Sequence, residues 1–188
     1  MMDNEVLKAL RERSSCPAFT DELPEKEKLQ AIAQAAVESP SGTNSQPWKI
    51  IVVTNRELIR EIEDETVRMM AQIPAYKHFY EVVTSTGMKL FYNAPCMIVI
   101  PIDKRDPYAQ YNCGIVSQSI AVAAQSLGVA SRIIAINEVA FMGEKAAYLK
   151  EKLQFPEHYE FGLAVLLGSA AKQKAPHAPN SGKIAYIG

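Results

Sequence analysis

A chain of 188 residues that is 48% hydrophobic can fill one core and is too short for two domains of ordinary size. With 20 basic against 21 acidic residues and no Lys/Arg block, its composition excludes a nucleic-acid footprint. Three widely spaced cysteines, Cys16, Cys96 and Cys113, form no CxxC and fit a reducing compartment better than a secreted disulfide scaffold. The N-terminus MMDNEVLKAL has acids where a secretory leader needs positive charge. The longest apolar runs, such as Met97 to Ile100, are strand-sized. The expectation is a single cytoplasmic domain over 1–188 with no membrane and no nucleic-acid partner.

Residues 4–13 read as a short helix with Val6, Leu7 and Leu10 on one face, delivering Arg11, Arg13, Ser14 and Ser15 at its C-terminal end. Arginines there complement the helix dipole. With serine hydroxyls they also make donors matched to phosphate oxygens. Pro24 opens a second helix, supported by Glu25 and Glu27, whose apolar positions Leu29, Ile32, Ala33, Ala36 and Val37 run on to Glu38. Pro40 stops it, lacking an N–H and clashing with the preceding turn. The connection Ser39-Pro40-Ser41-Gly42-Thr43-Asn44-Ser45-Gln46-Pro47-Trp48 is almost uncharged, and Asn44 and Gln46 each offer donor and acceptor on one amide. It suits a flat, neutral, polar-edged molecule better than a metal or a bare phosphate. It also suits an ordinary helix-to-strand connection, and spacing alone does not separate the two.

Residues 48–53 read as an interior strand, with Trp48 as a core anchor. A helix over 56–73 follows, then Pro74 and an aromatic segment over 75–92 in which His78 has no catalytic role. Cys96 to Ile100 is a second buried strand. Asp106-Pro107 opens a turn, and the long helix that follows to Leu127 carries Ala121, Ala123, Ala124 and Ser126 on a close-approach face, and Gln118, an amide that would need partners if buried. Gly128 closes it. Strands over 131–136 and 161–168 flank a charged helix over 138–153, and Ile184, Tyr186 and Ile187 read as an edge strand. Helices interleaved with strands suggest a three-layer α/β/α build, in an α/β or α+β domain, with the strand order open.

Familiar catalytic signatures are absent: no GxGxxG, Walker A, HExxH or GxSxG occurs. His78, His158 and His177 are far apart, so no metal site is expected. Ser169-Ala170-Ala171-Lys172 spells SxxK without its companion motifs. A polar loop without an evident nucleophile or acid–base pair is what an enzyme working through a cofactor can look like.

The stretch from Ser39 to Trp48 resembles the loop after the second helix in the FMN-dependent nitroreductase family. Arg13-Ser14-Ser15-Cys16-Pro17-Ala18-Phe19 is similar to that family's first flavin-binding segment, and likeness near residues 161–169 extends the resemblance over most of the chain. It implies a nitroreductase-like fold, a central mostly antiparallel sheet flanked by helices, in an intertwined homodimer with two flavin sites at the interface. It further implies FMN held at its phosphate by Arg13 and Ser15, with Arg11, Ser14 and Lys183 as further candidates. Pro40, Ser41 and Gly42 would lie along the ring of the partner subunit's flavin, with Asn44 and Gln46 on the flavin or fixing the loop. NADH or NADPH would reduce the flavin, and a nitro compound or quinone would reoxidise it, by a ping-pong mechanism. One departure stands out. Family members often have Lys or Arg two residues after the motif serine, where this chain has Pro17, leaving Lys89 or Arg132 as replacements. Alternatives on the same fold are a dehalogenase, a flavin-fragmenting enzyme, or a flavin-binding dimer with little turnover.

Overall fold

A run such as Cys96 to Ile100 is stable as a strand only with both faces covered. In the computed structural model, which describes residues 4–188, that run becomes β2 (Cys96–Asp103), buried along nearly its whole length. With β1 (Ile51–Val53), β3 (Ala130–Ile134) and β4 (Tyr159–Gly168) it forms a sheet in the order β1-β2-β4-β3, every pair antiparallel.

Each face has its own helical cover. On one side α2 (Lys26–Val37) and α5 (Ala109–Ser126) pack Ile32, Val116 and Ile120 against Ile98 and Val165. On the other, α3 (Arg56–Met70), α4 (Lys77–Thr86) and α6 (Ala146–Lys152) enclose a core with Ile62, Met70, Phe91, Met97 and Leu166. A short α1 (Glu5–Glu12) packs on α5. This is the three-layer α+β arrangement expected. Gly162 lets β4 cross β2: a Cβ there would stand 2.7 Å from the Ile100 carbonyl oxygen, beside the register shift between Ile100 and Pro101. Among the described residues, no helix is long and apolar enough to cross a membrane.

Several expected elements differ. Residues 48–53 were expected as an interior strand, yet only Ile51–Val53 enters the sheet, and at its edge, with Val52 39% exposed. Trp48 is a core residue but makes only an isolated bridge to Ile102. Apolar side chains do not distinguish an edge from an interior strand, because the edge is defined by backbone hydrogen bonds. The expected helix over 138–153 splits into a 3-10 turn (Ile136–Phe141) and α6, with Gly143 between them. Gly87, at φ +65°, ends α4. Ile184, Tyr186 and Ile187 form no edge strand among the described residues and are exposed. Gln118 is exposed; the buried amide of α5 is Asn112.

One buried carboxylate ties α3 to the chain entering β2. Glu63 on α3 is 8% exposed and accepts the Phe91 N–H at 2.7 Å. Burial pushes its carboxyl above the usual range, against the opposing pull of the Phe91 N–H and Lys89. A raised carboxyl contributes fully to stability only below its unfolded pKa, about 4.3. That contribution is lost as pH rises through the folded value. Glu63→Gln keeps an acceptor without the buried charge. It is expected to raise Tm by roughly 2–4 °C at pH 8 and to change it little at pH 4. A lower Tm at pH 8 would mean that the attraction of Lys89 outweighs burial.

Candidate functional site

The first half of the candidate site is the stretch after α1. Residues 14–20 lie along the free side of β3 and the end of β4, where unpaired main-chain groups demand partners. The Cys16 N–H donates to the Ser131 carbonyl, Phe19 to Tyr92, Thr20 to Ser169, and Ala171 back to Ala18, all at 2.9 Å. This stitching fixes Arg13 and Ser15 in half-buried positions, and neither side chain has a partner among the described residues. A guanidinium and a hydroxyl held this way form a ready site for an oxyanion. Ser14 is turned elsewhere: its hydroxyl donates to the Lys174 carbonyl at 2.9 Å. Arg11 is exposed on the last turn of α1.

Beside this segment lies a cavity of about 600 Å³, bounded by Ser14, Cys16 and Pro17, by Gln125 at the end of α5, and by Lys172 and Lys174 of the tail. Lys183 sits farther along in an exposed 3-10 turn (Ser181–Lys183) and is not among the lining residues. The tail cations beside Ser14 are therefore Lys172 and Lys174, which the sequence reading did not single out.

The second half is the Ser39–Trp48 loop. Thr43, Asn44 and Gln46 all have positive φ, at 53°, 56° and 46°. For Thr, branched at Cβ, this is a strained conformation. Internal bonds hold it: Gln46 Nε2 donates to Asn44 Oδ1 at 3.0 Å, and the Gln46 N–H to Ser41 Oγ at 3.0 Å. The Asn44 and Gln46 amides thus lock the loop. Two residues of α5 dock it. Ser39 Oγ bonds Ser119 Oγ at 2.8 Å, and the Gly42 N–H reaches Asn112 Oδ1 at 3.4 Å beside the Tyr108 ring. Asn112 is 3% exposed, and its Nδ2 has no partner. The sequence reading passed over Asn112, although an amide between Ala109, Cys113 and Val116 on an apolar helical face was the available signal. Pro40, Gly42 and Thr43 remain exposed and Ser41 half-buried.

The two halves lie at opposite ends of α5. Asn112 touches the loop near one end and Gln125 lines the cavity at the other, about 20 Å apart along a helix rising 1.5 Å per residue. Arg13 and Ser15 are not among the residues lining that cavity, which takes in Glu12, Ser14, Cys16 and Pro17 of the same stretch.

Of the two cations considered for Pro17, only Arg132 is nearby. Its Nη1 donates to the Cys16 carbonyl at 3.2 Å, and its guanidinium carbon stands 3.9 Å from the Tyr92 ring centroid. Lys89 instead flanks Glu63 in a separate cavity. The three cysteines are free and buried, with Cys96 and Cys113 pushed up to about 12 by burial, so none is a ready thiolate. Ser169 donates to Glu22 at 3.1 Å, so SxxK builds no nucleophile. No cluster of potential metal ligands occurs among the described residues. The donor set fits an organic cofactor with an anionic tail: unpartnered Arg13 and Ser15 at one end, and a rigid, uncharged, exposed loop for a planar group.

Strain in the loop has a measurable consequence. Asn tolerates the left-handed region better than Thr. Thr43→Asn is expected to raise Tm by roughly 2–4 °C, checked by thermal unfolding. A fall of that size would mean that the Thr43 hydroxyl bond to the Gly42 carbonyl at 2.7 Å outweighs the backbone cost.

Comparison with known proteins agrees with this geometry. The profile of the Nitroreductase family matches residues 10–169. A crystal structure of a nitroreductase with bound FMN from Desulfitobacterium hafniense DCB-2 superposes with a TM-score of 0.94 at 46% identity, covering 100% of both chains. A protein of Archaeoglobus fulgidus, provisionally named NADH dehydrogenase/NAD(P)H nitroreductase, is 26% identical over 175 residues, 90% of this chain and 88% of its own length. Iodotyrosine deiodinase, solved with FMN and 3-iodo-L-tyrosine, shares the fold at a TM-score of 0.74 and 18% identity, covering 97% of this chain and 99% of its own. A match across most of the chain, with both site segments inside it, makes this protein a member of the nitroreductase family.

Proposed function

We propose that the protein is an FMN-dependent oxidoreductase that passes electrons from NADH or NADPH to nitro compounds, quinones or similar small acceptors. The observation that carries the reading is that Arg13 and Ser15, half-buried and without side-chain partners among the described residues, belong to a stretch stitched onto the sheet whose other members Ser14, Cys16 and Pro17 line an open cavity. These residues would hold the FMN phosphate. Lys172 and Lys174 add positive charge around the cavity, and Lys183 is the tail cation farther along the chain. When bound, FMN supplies two-electron chemistry. A nicotinamide gives up a hydride, the medium supplies a proton, and a nitro group leaves as nitroso plus water or a quinone as hydroquinone. The chain itself contributes position and electrostatics.

The working unit is a homodimer on this reading. The arch Pro40-Ser41-Gly42 docks on Asn112, about 20 Å along α5 from Gln125 at the cavity beside Ser14 and Pro17, and a second copy would supply the loop that flanks each ring. Exposed Tyr111 and Ile115 on α5, with Ile184, Tyr186 and Ile187 on the tail, are apolar surface that such a copy would cover. A single pocket serving donor and acceptor in turn implies ping-pong kinetics.

The purified protein is expected to bind one FMN per chain and to oxidise NADH or NADPH only with a quinone or nitroaromatic acceptor, giving parallel double-reciprocal plots. Arg13→Gln removes a charge-assisted phosphate contact, worth about 1.5–3 kcal/mol. It is expected to weaken FMN binding roughly 10- to 100-fold with little loss of Tm. Unaltered FMN affinity in that variant would overturn the phosphate assignment. FMN uptake without turnover on any acceptor would favour the flavin-binding dimer.

A further inference from the structure

Along α3, Arg56, Ile59, Arg60 and Glu63 recur at i, i+3, i+4 and i+7 and share one flank of the helix. That flank faces the turn before β2, residues 91–95, across a cavity of about 260 Å³ that takes in none of residues 13–17. Arg56, Arg60 and Lys89 line it. Arg56 is spent: its Nη1 pairs with Asp21 Oδ1 at 3.1 Å, and its Nη2 donates to the Asp21 carbonyl. Among the described residues Arg60 has no side-chain partner, and Lys89 answers only the buried charge of Glu63 without a hydrogen bond to it.

The facing wall is rigid and apolar. Phe91, Ala94 and Pro95 are buried, as is Ile59 on the helix. Tyr92 and Asn93 hold φ at 55° and 61°, a conformation that persists only where the surroundings fix it. Here the Phe91 N–H is held by Glu63, and Pro95 is wedged on Gly168, where a Cβ would stand 2.7 Å from the Pro95 ring.

We propose that this cavity binds a small organic acid, its carboxylate between Arg60 and Lys89 and its apolar body against Ile59, Ala94 and Pro95. Guanidinium and ammonium donors without counter-ions are matched to a carboxylate. The volume lies below the roughly 300–1,000 Å³ of sites for drug-sized ligands, so the occupant is about the size of a single ring. Neighbouring carboxyls do not close the site to an anion. Asp21 is neutralised by Arg56, while Glu63 spends Oε1 on the Phe91 N–H and is pushed by burial toward its neutral form. A bare inorganic anion would leave the apolar wall uncovered.

The test is a titration of the purified protein with benzoate as the probe, FMN present throughout, followed through isotope-labelled methyl groups of Ile59 and Ala94. Both signals are expected to shift and to saturate together, with a Kd on the order of 0.1–1 mM. Benzamide, the same ring without the charge, is expected to bind at least tenfold more weakly. Arg60→Gln and Lys89→Gln alter exposed side chains outside the core. Each is expected to weaken benzoate about threefold or more, and the pair at least tenfold. Arg60→Lys keeps the charge and is expected to stay within about threefold of wild type. Methyl signals that do not move well above that Kd overturn the proposal. So does benzamide binding as well as benzoate, or a folded double variant of unchanged affinity. Displacement of benzoate by inorganic phosphate at equal concentration overturns the organic-acid assignment, since the cavity would then read charge alone.

Discussion

The main-chain bonds that sew residues 16–20 onto β3, Tyr92 and the end of β4 are the constraint on which the rest of the molecule rests. Each bond contributes only about 0.5–1.5 kcal/mol net, but the set acts as a unit because buried donors left unpaired would cost more than that. The stitching covers the outer side of β3 through the Ser15–Ser131 bridge and runs on past the end of β4 through the Phe19–Ala170 bridge, so that side of the sheet is not left as an open edge. It buries Cys16 and Phe19 in the core. It also leaves Arg13 and Ser15 at the point where the chain leaves α1, half out of water and without partners. On the proposed reading, stability and ligand-holding geometry come from the same few residues.

Helix α5 organises the other half. Its buried face carries the sheet, through Val116 and Ile120. Asn112 and Ser119 grip the Ser39–Gly42 arch. A loop with three non-glycine residues at positive φ is expensive to hold, and strain of this kind persists only where surroundings over-determine it. Here the Asn44–Gln46 amide pair, the Ser41 hydroxyl and α5 supply that over-determination. The result is a rigid, neutral, exposed rim, separated from the anion-holding segment by most of the length of α5. On the proposed reading, a second chain supplies the rim for each site.

Much of this was legible in the residues. Alternation of apolar runs with helical spacing disclosed the layers, and the chain order of elements was read nearly as it stands. The two candidate segments were singled out by their resemblance to the nitroreductase family; their residues alone left an ordinary helix end and an ordinary helix-to-strand connection open. What escaped the reading depended on partners far away in sequence. Nothing local marks Ile51–Val53 as an edge strand, or shows that Asn112 rather than Gln118 is the buried amide. Arg132 could be named but not located, since its place is set by a carbonyl at residue 16 and a ring at residue 92. Lys172 and Lys174 were invisible as site residues because the tail has no periodicity to orient it.

The central claim is that each site is built from two chains. It is tested most directly by mixing two inactive parents. Arg13→Gln disables the anion-holding segment and Gly42→Phe obstructs the rim. If the halves of a site come from different subunits, the hybrid dimer has one intact site and one doubly altered. Native mass spectrometry should then find one tightly held FMN per hybrid dimer, where both parents hold FMN only weakly. Hybrid dimers that bind no FMN, from parents that fold and pair normally, would contradict the account, since that is the outcome when both halves of a site lie in one chain.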